Sequence, residues 1–336
     1  MVLLILDFKN AYTGALEGIE LCLQSVVPAL FPFIILSTLL TTSFAGEKAR
    51  MLRPIGRLCG VPEGGEPLFI VGLFGGYPVG AQCIYRAYES GQIPNDDAQR
   101  MLGFCNNAGP AFIFGIIASQ YEQKYIPWII WGIQILSAVL TGILLPCERA
   151  GRYTLKNQND TSITATIEKS VKTMGIICGW IVIIRIVIHY LEIWLHGILP
   201  PELLIVLCGL IELTNGSVTL HNIPSVILRF IAANGLLSFG GLCVWLQTIG
   251  VTGRMNRKFF YLGKLLQAAQ SLVISSALAC IIFSKTTLCY KLITAVILLS
   301  VLLIGMLIVK KTVALRKKVL YNERKTSRKE HPYAFS

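Results

Sequence analysis

Residues 73–82 read LFGGYPVGAQ, inside a segment, 66–89, that is otherwise apolar enough to enter a membrane. A simple anchor would avoid two adjacent glycines, a proline and a third glycine. Gly tolerates positive φ, while Pro fixes φ and removes a donor. Together they predict a chain reversal. Residues 66–76 and 79–89 would each form a helix of about 15 Å, roughly half a hydrocarbon core. The segment therefore reads as a re-entrant hairpin with GGYPVG, residues 75–80, at its tip. Gly72, Gly76 and Gly80, spaced by four, would also allow close helix packing. One ordinary kinked span is the competing reading.

The surroundings set the class. Of 336 residues, 54% are apolar and 14% charged, with a mean hydropathy of +0.64. A soluble domain carries about 25% charged residues. Apolar stretches fall near 19–44, 66–89, 101–119, 125–146, 172–195, 202–222, 226–250, 259–283 and 288–309. An all-α polytopic membrane protein is expected. The net charge of +12 is explained by position, because nine Lys/Arg lie between Lys310 and Lys329. A juxtamembrane basic tail reads as a cytoplasmic anchor beside anionic lipid, not as a nucleic-acid site. The ten cysteines are scattered singly, with no CxxC pair, so neither a disulfide framework nor a metal site is expected.

Charge also sets the topology. If all nine stretches cross, the loop 147–169, with Arg149, Arg152, Lys156 and Lys169, falls outside against the positive-inside rule. If 66–89 and 202–222 instead enter and leave on one side, that loop returns to the cytoplasm. The outside loops then keep only Lys9, Lys124 and Lys285. The expected order is an extracytoplasmic segment 1–18, a membrane repeat 19–146 and a cytoplasmic linker 147–171. A second repeat 172–283, a last span 284–309 and a basic cytoplasmic tail 310–336 follow. The location is a bacterial cell membrane, crossed several times.

Three further stretches break their own helices: FCNNAGPAF (104–112), IELTNGSV (211–218) and ANGLLSFGG (233–241). Irregular backbone at membrane depth is tolerated where protein buries it or where it lines a cavity. Asn and Ser there supply groups able to coordinate a solute or ion. Residues 102–115, LGFCNNAGPAFIFG, align without gaps on 228–241, LRFIAANGLLSFGG. In that register each half runs span, hairpin, broken span, span, with three crossings. This is an inverted-topology repeat with two re-entrant hairpins and two broken transmembrane helices, the pattern of many secondary transporters. FGGYPVGAQ (74–82) also resembles FGGLCVWLQ (239–247), a competing match that pairs a hairpin tip with a broken span.

The run GGYPVGAQ, YESGQI and DAQRMLGFCNNAGPAFIFG resembles the Gate (nucleoside-recognition) domain, and in particular the sporulation integral membrane protein YlbJ family. ELTNG and SFGGLCVWLQ look like the second-half motifs of that family. The resemblance implies a relationship to concentrative nucleoside transporters, with a solute between two hairpins and two unwound helices. In sporulating members it implies a link to dipicolinic acid movement. Carried over by position, Gly76, Tyr77, Pro78 and Gly80 belong to the first tip, and Asn106, Asn107 and Gly109 to the first unwound helix. Glu212, Thr214, Asn215 and Gly216 belong to the second tip, and Asn234, Ser238 and Gly240 to the second unwound helix.

Ionisable residues inside spans mark pathways or internal pairs. Arg185, His189 and Glu192, spaced by four and three, share a helical face. They read either as an internally paired set or as ion-coupling groups. Arg229 is read as snorkelling or as a cation facing an acidic solute. Glu212 is the leading proton- or cation-linked carboxylate, and half-helix N-termini would favour an anion at the centre. No HExxH, GxxxxGK[ST] or GxSxG motif occurs, so no enzyme, cofactor or metal is expected. The expectation is a secondary transporter of a small, polar, anionic solute, coupled to sodium or protons. The partners are the solute and the lipid bilayer, and a homo-oligomer is compatible. The alternatives are a non-transporting scaffold of the spore envelope, a nucleoside transporter or an ion-gate subunit.

Overall fold

The computed structural model describes residues 7–43, 53–146 and 162–283. The expected final span, the basic tail and most of the linker 147–171 lie outside these residues. The described part is helical throughout its ordered elements, with no β-strand, as an all-α polytopic membrane protein requires. Five of its helical runs are long and apolar enough to cross a membrane.

The chain enters through α1 (Phe8–Leu21), a π-helical turn (Cys22–Val26) and α2 (Val27–Ser43), which follow one another as a continuous helix. The run Phe8–Leu36 has membrane-crossing length. This corrects the span expected from 19. The Asp7 side chain accepts from the Asn10 N–H and caps the helix at Phe8. The π turn falls immediately before Pro28, which has no N–H to continue an α-helical ladder.

After α3 (Arg53–Leu58), the segment 66–89 forms α4 (Glu66–Phe74) and α5 (Val79–Glu89). The two fold back on each other: a Cβ on Gly80 would lie 3.2 Å from the Gly72 Cα. The kinked single span is thereby excluded. α6 (Asn95–Leu102) then gives way to a non-helical stretch before α7 (Pro110–Gly115), a 3-10 turn (Ile117–Gln120) and the span α8 (Ile126–Leu144).

The same order recurs. The span α9 (Ile163–Leu195) leads to α10 (Pro201–Ile211), which turns at Glu212 into α11 (Leu213–Val218). α12 (Val226–Phe239) breaks at Gly240 into α13 (Gly241–Val251), and the span α14 (Lys258–Phe283) follows. Corresponding spans run antiparallel. Gly14 packs on Ile186 and Gly18 on Val182, each placing a Cβ 2.9 Å from the facing Cα. Small residues four apart let the α1 and α9 backbones approach this closely. Likewise Thr141 of α8 meets Gln270 of α14, while Leu145 and Gly263 both lie against Gly103. The order of elements and the antiparallel pairs are those of an inverted repeat.

The sequence register chosen for that repeat does not survive. It sets the non-helical residues 103–109 against 229–235, which are helical in α12. The competing match is the one whose breaks coincide: Phe74 and Phe239 each end a helix, and Gly75–Gly76 and Gly240–Gly241 follow. Chain-breaking glycines recur at both places, whatever the element around them.

Two apolar clusters position the centre. One joins Phe69, Ile84, Met101, Phe104 and Phe260, tying the first hairpin to α6 and α14. The other joins Cys22, Val26, Ile34, Val71, Val79, Ile177 and Ile181, tying the hairpin to α2 and α9.

Candidate functional site

The first hairpin is built on close approach. α4 ends as the Gly75 N–H donates to the Val71 carbonyl at 2.7 Å, and Gly76 turns the chain at φ +75°. Gly76, with its positive φ, fits where a side chain would be strained. A Cβ on either Gly72 or Gly80 would strike the Cys105 carbonyl, so the unwound stretch lies directly against the glycine face of the hairpin. Asn107 secures it. Its Nδ2 donates to the Gly72 carbonyl at 2.9 Å and the Phe104 carbonyl at 2.8 Å. Asn106 is buried too, donating to Thr248 Oγ1 at 3.0 Å with its own Oδ1 left without a partner.

The second hairpin turns on one residue. Glu212 is extended, at φ −138° and ψ 114°, and caps α11. Its Oε2 accepts from the Asn215 backbone N–H at 2.7 Å and from Asn215 Nδ2 at 2.8 Å. Of the half-helix N-termini expected to favour an anion, that of α11 is already occupied by the Glu212 carboxylate. Gly209 and Gly216 give α10 and α11 their contact, since a Cβ on Gly216 would overlap the Gly209 Cα. The second break then meets both tips. Gly240, at φ +85°, leaves room for the Tyr77 ring, and Gly241, at φ +76°, lies against the Leu213 N and the Gly209 carbonyl.

A cavity of about 50 Å³ opens where these elements converge. Gly75, Gly76 and Tyr77 of one tip face it, as do Glu212, Leu213 and Thr214 of the other. Ala108 and Gly109 of the unwound stretch, and Val244 and Gln247 of α13, complete that wall, to which Glu212, Thr214, Gln247 and Tyr77 bring the polar side chains. Leu30, Phe33, Ile177 and Ile181 give the apolar side. A second cavity, of about 330 Å³, is walled by Pro28, Ala29, Gly115, Ile116 and Val218, with Gln24, Ser25 and Ser119 as its polar groups. It uses the same three elements, α2, α7 and α11, about one turn further along.

Of the residues singled out in the sequence, Gly76, Tyr77, Gly109, Glu212 and Thr214 line the first cavity. The others brace it. Pro78 completes the first turn, and Gly80, Gly216 and Gly240 provide the close contacts described. Asn106, Asn107 and Asn215 are engaged as above. Asn234 and Ser238 do not line it: Ser238 Oγ donates to Gln134 Oε1 at 2.9 Å, and Asn234 Nδ2 donates to the Phe230 carbonyl of its own helix at 2.8 Å.

The ion-coupling candidates separate. Glu212 is at the cavity, but Arg185, His189 and Glu192 do not line it. Arg185 spans two carboxylates, Nε to Glu17 Oε2 and Nη1 to Glu192 Oε1, both at 2.9 Å. His189 Nδ1 lies 3.2 Å from Glu17 Oε2. Glu17, His189 and Glu192 bring ligand atoms within 4.8 Å of one another. Arg185 already supplies the positive charge such a group needs. Arg229 does not line the first cavity and donates to the carbonyls of Gln120, His221 and Ile223 at 2.8–3.2 Å, bracing the chain after the second hairpin.

One residue went unread in the sequence. Lys264 of α14 is completely buried. Its Nζ donates to Tyr77 Oη at 3.1 Å, Asn107 Oδ1 at 3.3 Å and Gln267 Oε1 at 2.7 Å. Lys264, Gln267, Gln270, Ser271 and Ser275 recur at three- and four-residue spacing and are all buried. That polar stripe on an apolar span was the available signal.

No family model matches the chain, and no solved structure matches it. The chain is similar to the sporulation integral membrane protein YlbJ of Bacillus subtilis (strain 168), 25% identical over an alignment of 319 residues. That alignment covers 79% of this chain and 76% of the relative. The expected Gate domain and the relationship to nucleoside transporters gain nothing from these comparisons. The likeness over most of both chains, in a multi-pass membrane protein built as described, supports membership of the YlbJ family of sporulation integral membrane proteins.

Proposed function

We propose that this protein is a secondary transporter of a small, polar, anionic solute, linked to spore formation as the name of its relative suggests. The carrying observation is the convergence of two hairpin tips, an unwound stretch and a broken helix on one cavity. Irregular backbone at membrane depth belongs where it lines a cavity, and inverted repeats place such sites between the halves. The second cavity, one turn along the same three elements, supports a route from the site toward one face of the protein. Alternating access would move the hairpins against the α1–α9 pair.

Glu212 has the coupling role in this reading. A carboxylate beside an anionic solute in a poorly hydrated cavity repels it, unless a proton or a cation such as sodium enters with the solute. In this reading the positive-inside rule puts the basic tail in the cytoplasm. Pyridine-2,6-dicarboxylate, nucleosides and simple dicarboxylates are the solutes to try. Uptake into proteoliposomes should be selective for one of them, driven by a sodium or proton gradient, and lost in Asn107→Ala and Gly76→Leu. Uptake unchanged by both substitutions and by Glu212→Ala would sink the transporter reading.

A further inference from the structure

Lys264 has the surroundings of a charged group without a counter-charge. Tyr77 Oη donates its own proton to the Leu237 carbonyl at 3.1 Å, so toward Lys264 it accepts. The Asn107 amide nitrogen is committed to two backbone carbonyls, which turns Oδ1 toward Nζ. Gln267 Oε1 is the third acceptor. Three acceptors about one nitrogen match the three N–H bonds of an ammonium, whereas a neutral amine has two. All three neighbours are uncharged. Among the described residues the ion pairs lie elsewhere, at Arg53–Glu63 and around Arg185. A buried ammonium without an anion is strongly unfavourable.

The missing anion has a place to go. Tyr77 lines the cavity and also touches the ammonium, whose Nζ lies 5.0 Å from its ring centroid. Ala108 and Gly109, which also line the cavity, follow Asn107 directly. Tyr77 thus lines the cavity and holds the ammonium, while Asn107 holds the ammonium and is next in the chain to two lining residues. We propose that Lys264 is the specificity-determining cation of the site, selecting carboxylate solutes from behind Tyr77 and Asn107. This rests on the transporter reading and narrows its solute class. Charge balance follows: the solute's carboxylate answers Lys264, and the proton or cation that enters with it answers Glu212.

The test uses the full chain in lipid nanodiscs, with pyridine-2,6-dicarboxylate and succinate each compared with its diamide. Affinity is measured by equilibrium dialysis. The wild type should bind at least one dicarboxylate about tenfold or more tighter than its diamide, about 1.4 kcal/mol. Lys264→Arg should keep that preference, and Lys264→Gln should bring the ratio to within about twofold. Where Lys264→Gln does not fold, Lys264→Met with Gln267→Leu removes the charge without stranding its shortest acceptor. A wild-type ratio retained in the uncharged variant overturns the assignment to Lys264, as does a wild type that binds diamide and dicarboxylate alike. Both of those results leave the transporter reading standing. No binding of any solute, here or among nucleosides, overturns both.

Discussion

The two hairpins follow the same backbone plan beside opposite charges, both of them supplied by the second half. At the first hairpin the turn is four residues long, from Gly75 to Pro78, and its companion helix is unwound from Gly103 to Gly109. An amide, a phenol and the Lys264 ammonium hold them together. At the second hairpin the turn is Glu212 alone, and the companion helix breaks at the single residue Gly240. A carboxylate is the fixed group there. An inverted repeat thus preserves where helices are interrupted, while the chemistry at each interruption is free to diverge. A site between the two hairpins then has a positive wall and an ionisable negative wall, which suits an anion moved together with a cation.

The first hairpin depends on backbone contact, and this gives the largest expected effect. Gly80→Leu would drive a side chain into the Cys105 carbonyl, which neither hairpin nor unwound stretch can yield without separating. The loss should exceed about 3 kcal/mol, beyond ordinary overpacking, and no monodisperse protein should elute on size exclusion. Gly175→Leu is the control, because nothing lies within 4 Å of a Cβ there. Equal behaviour of the two variants would remove the basis for a hairpin assembled on its glycines.

Next comes the charge itself. Glu212→Gln keeps an oxygen able to accept from the Asn215 N–H, so α11 keeps its cap. Melting should change by only a few degrees, on the scale of about 1 kcal/mol. Gradient-driven uptake should fall on the order of a hundredfold, the range of a strong coupling free energy. The residual flux should no longer depend on the driving ion. Full gradient dependence in Glu212→Gln would place coupling elsewhere and leave the negative wall without a function.

The interruptions were legible because Gly, Pro and Asn are conspicuous in apolar segments. GGYPVG and ELTNG gave both reversals, and CNNAGP gave the unwound stretch. Their meeting at one cavity followed from the repeat, since inverted halves bring like elements to a common centre. Lys264 was hidden for the opposite reason. Lys264 is one of two lysines among the 26 residues of α14, which stays apolar enough to cross a membrane, and two of its partners lie 187 and 157 residues away in the chain. Only the spacing of Lys264, Gln267, Gln270 and Ser271 betrayed a buried polar face. The repeat register misled because four coincident residues in fourteen carry less weight than the backbone break itself. The start of α1 was missed because Lys9 and Glu17 make its earlier turns too polar for a hydropathy window. Gly14 and Gly18 show that those turns are held by α9.

Outside the centre, the Arg185 cluster should act on stability alone. Arg185→Ala leaves Glu17 and Glu192 without their shared guanidinium and should lower stability by roughly 1–3 kcal/mol, read as a drop in melting temperature. Solute affinity and ion dependence should match the wild type, because none of these side chains lines the cavity. A shift in the driving ion would join this cluster to the pathway and blur the contrast between a charged centre and a braced periphery.

The smallest effect tests how the second break is held. Trp245 sits one and a half turns into α13 and reaches back across Gly240, its Nε1 donating to the Phe239 carbonyl at 2.9 Å. Its ring also meets Phe239, Phe260 and Tyr261 at centroid separations of 4.8–5.8 Å. Where the first unwound stretch is secured by an amide and an ammonium, this one is secured by an indole and aromatic packing. Trp245→Phe keeps most of the ring contact and removes the N–H, so the expected loss is about 1 kcal/mol. The preference for dicarboxylate over diamide should not change, since no charge is touched. If Trp245→Phe abolished that preference as Lys264→Gln is expected to, the two breaks would be working as one coupled element, with Gly240 against the Tyr77 ring as the physical link between them.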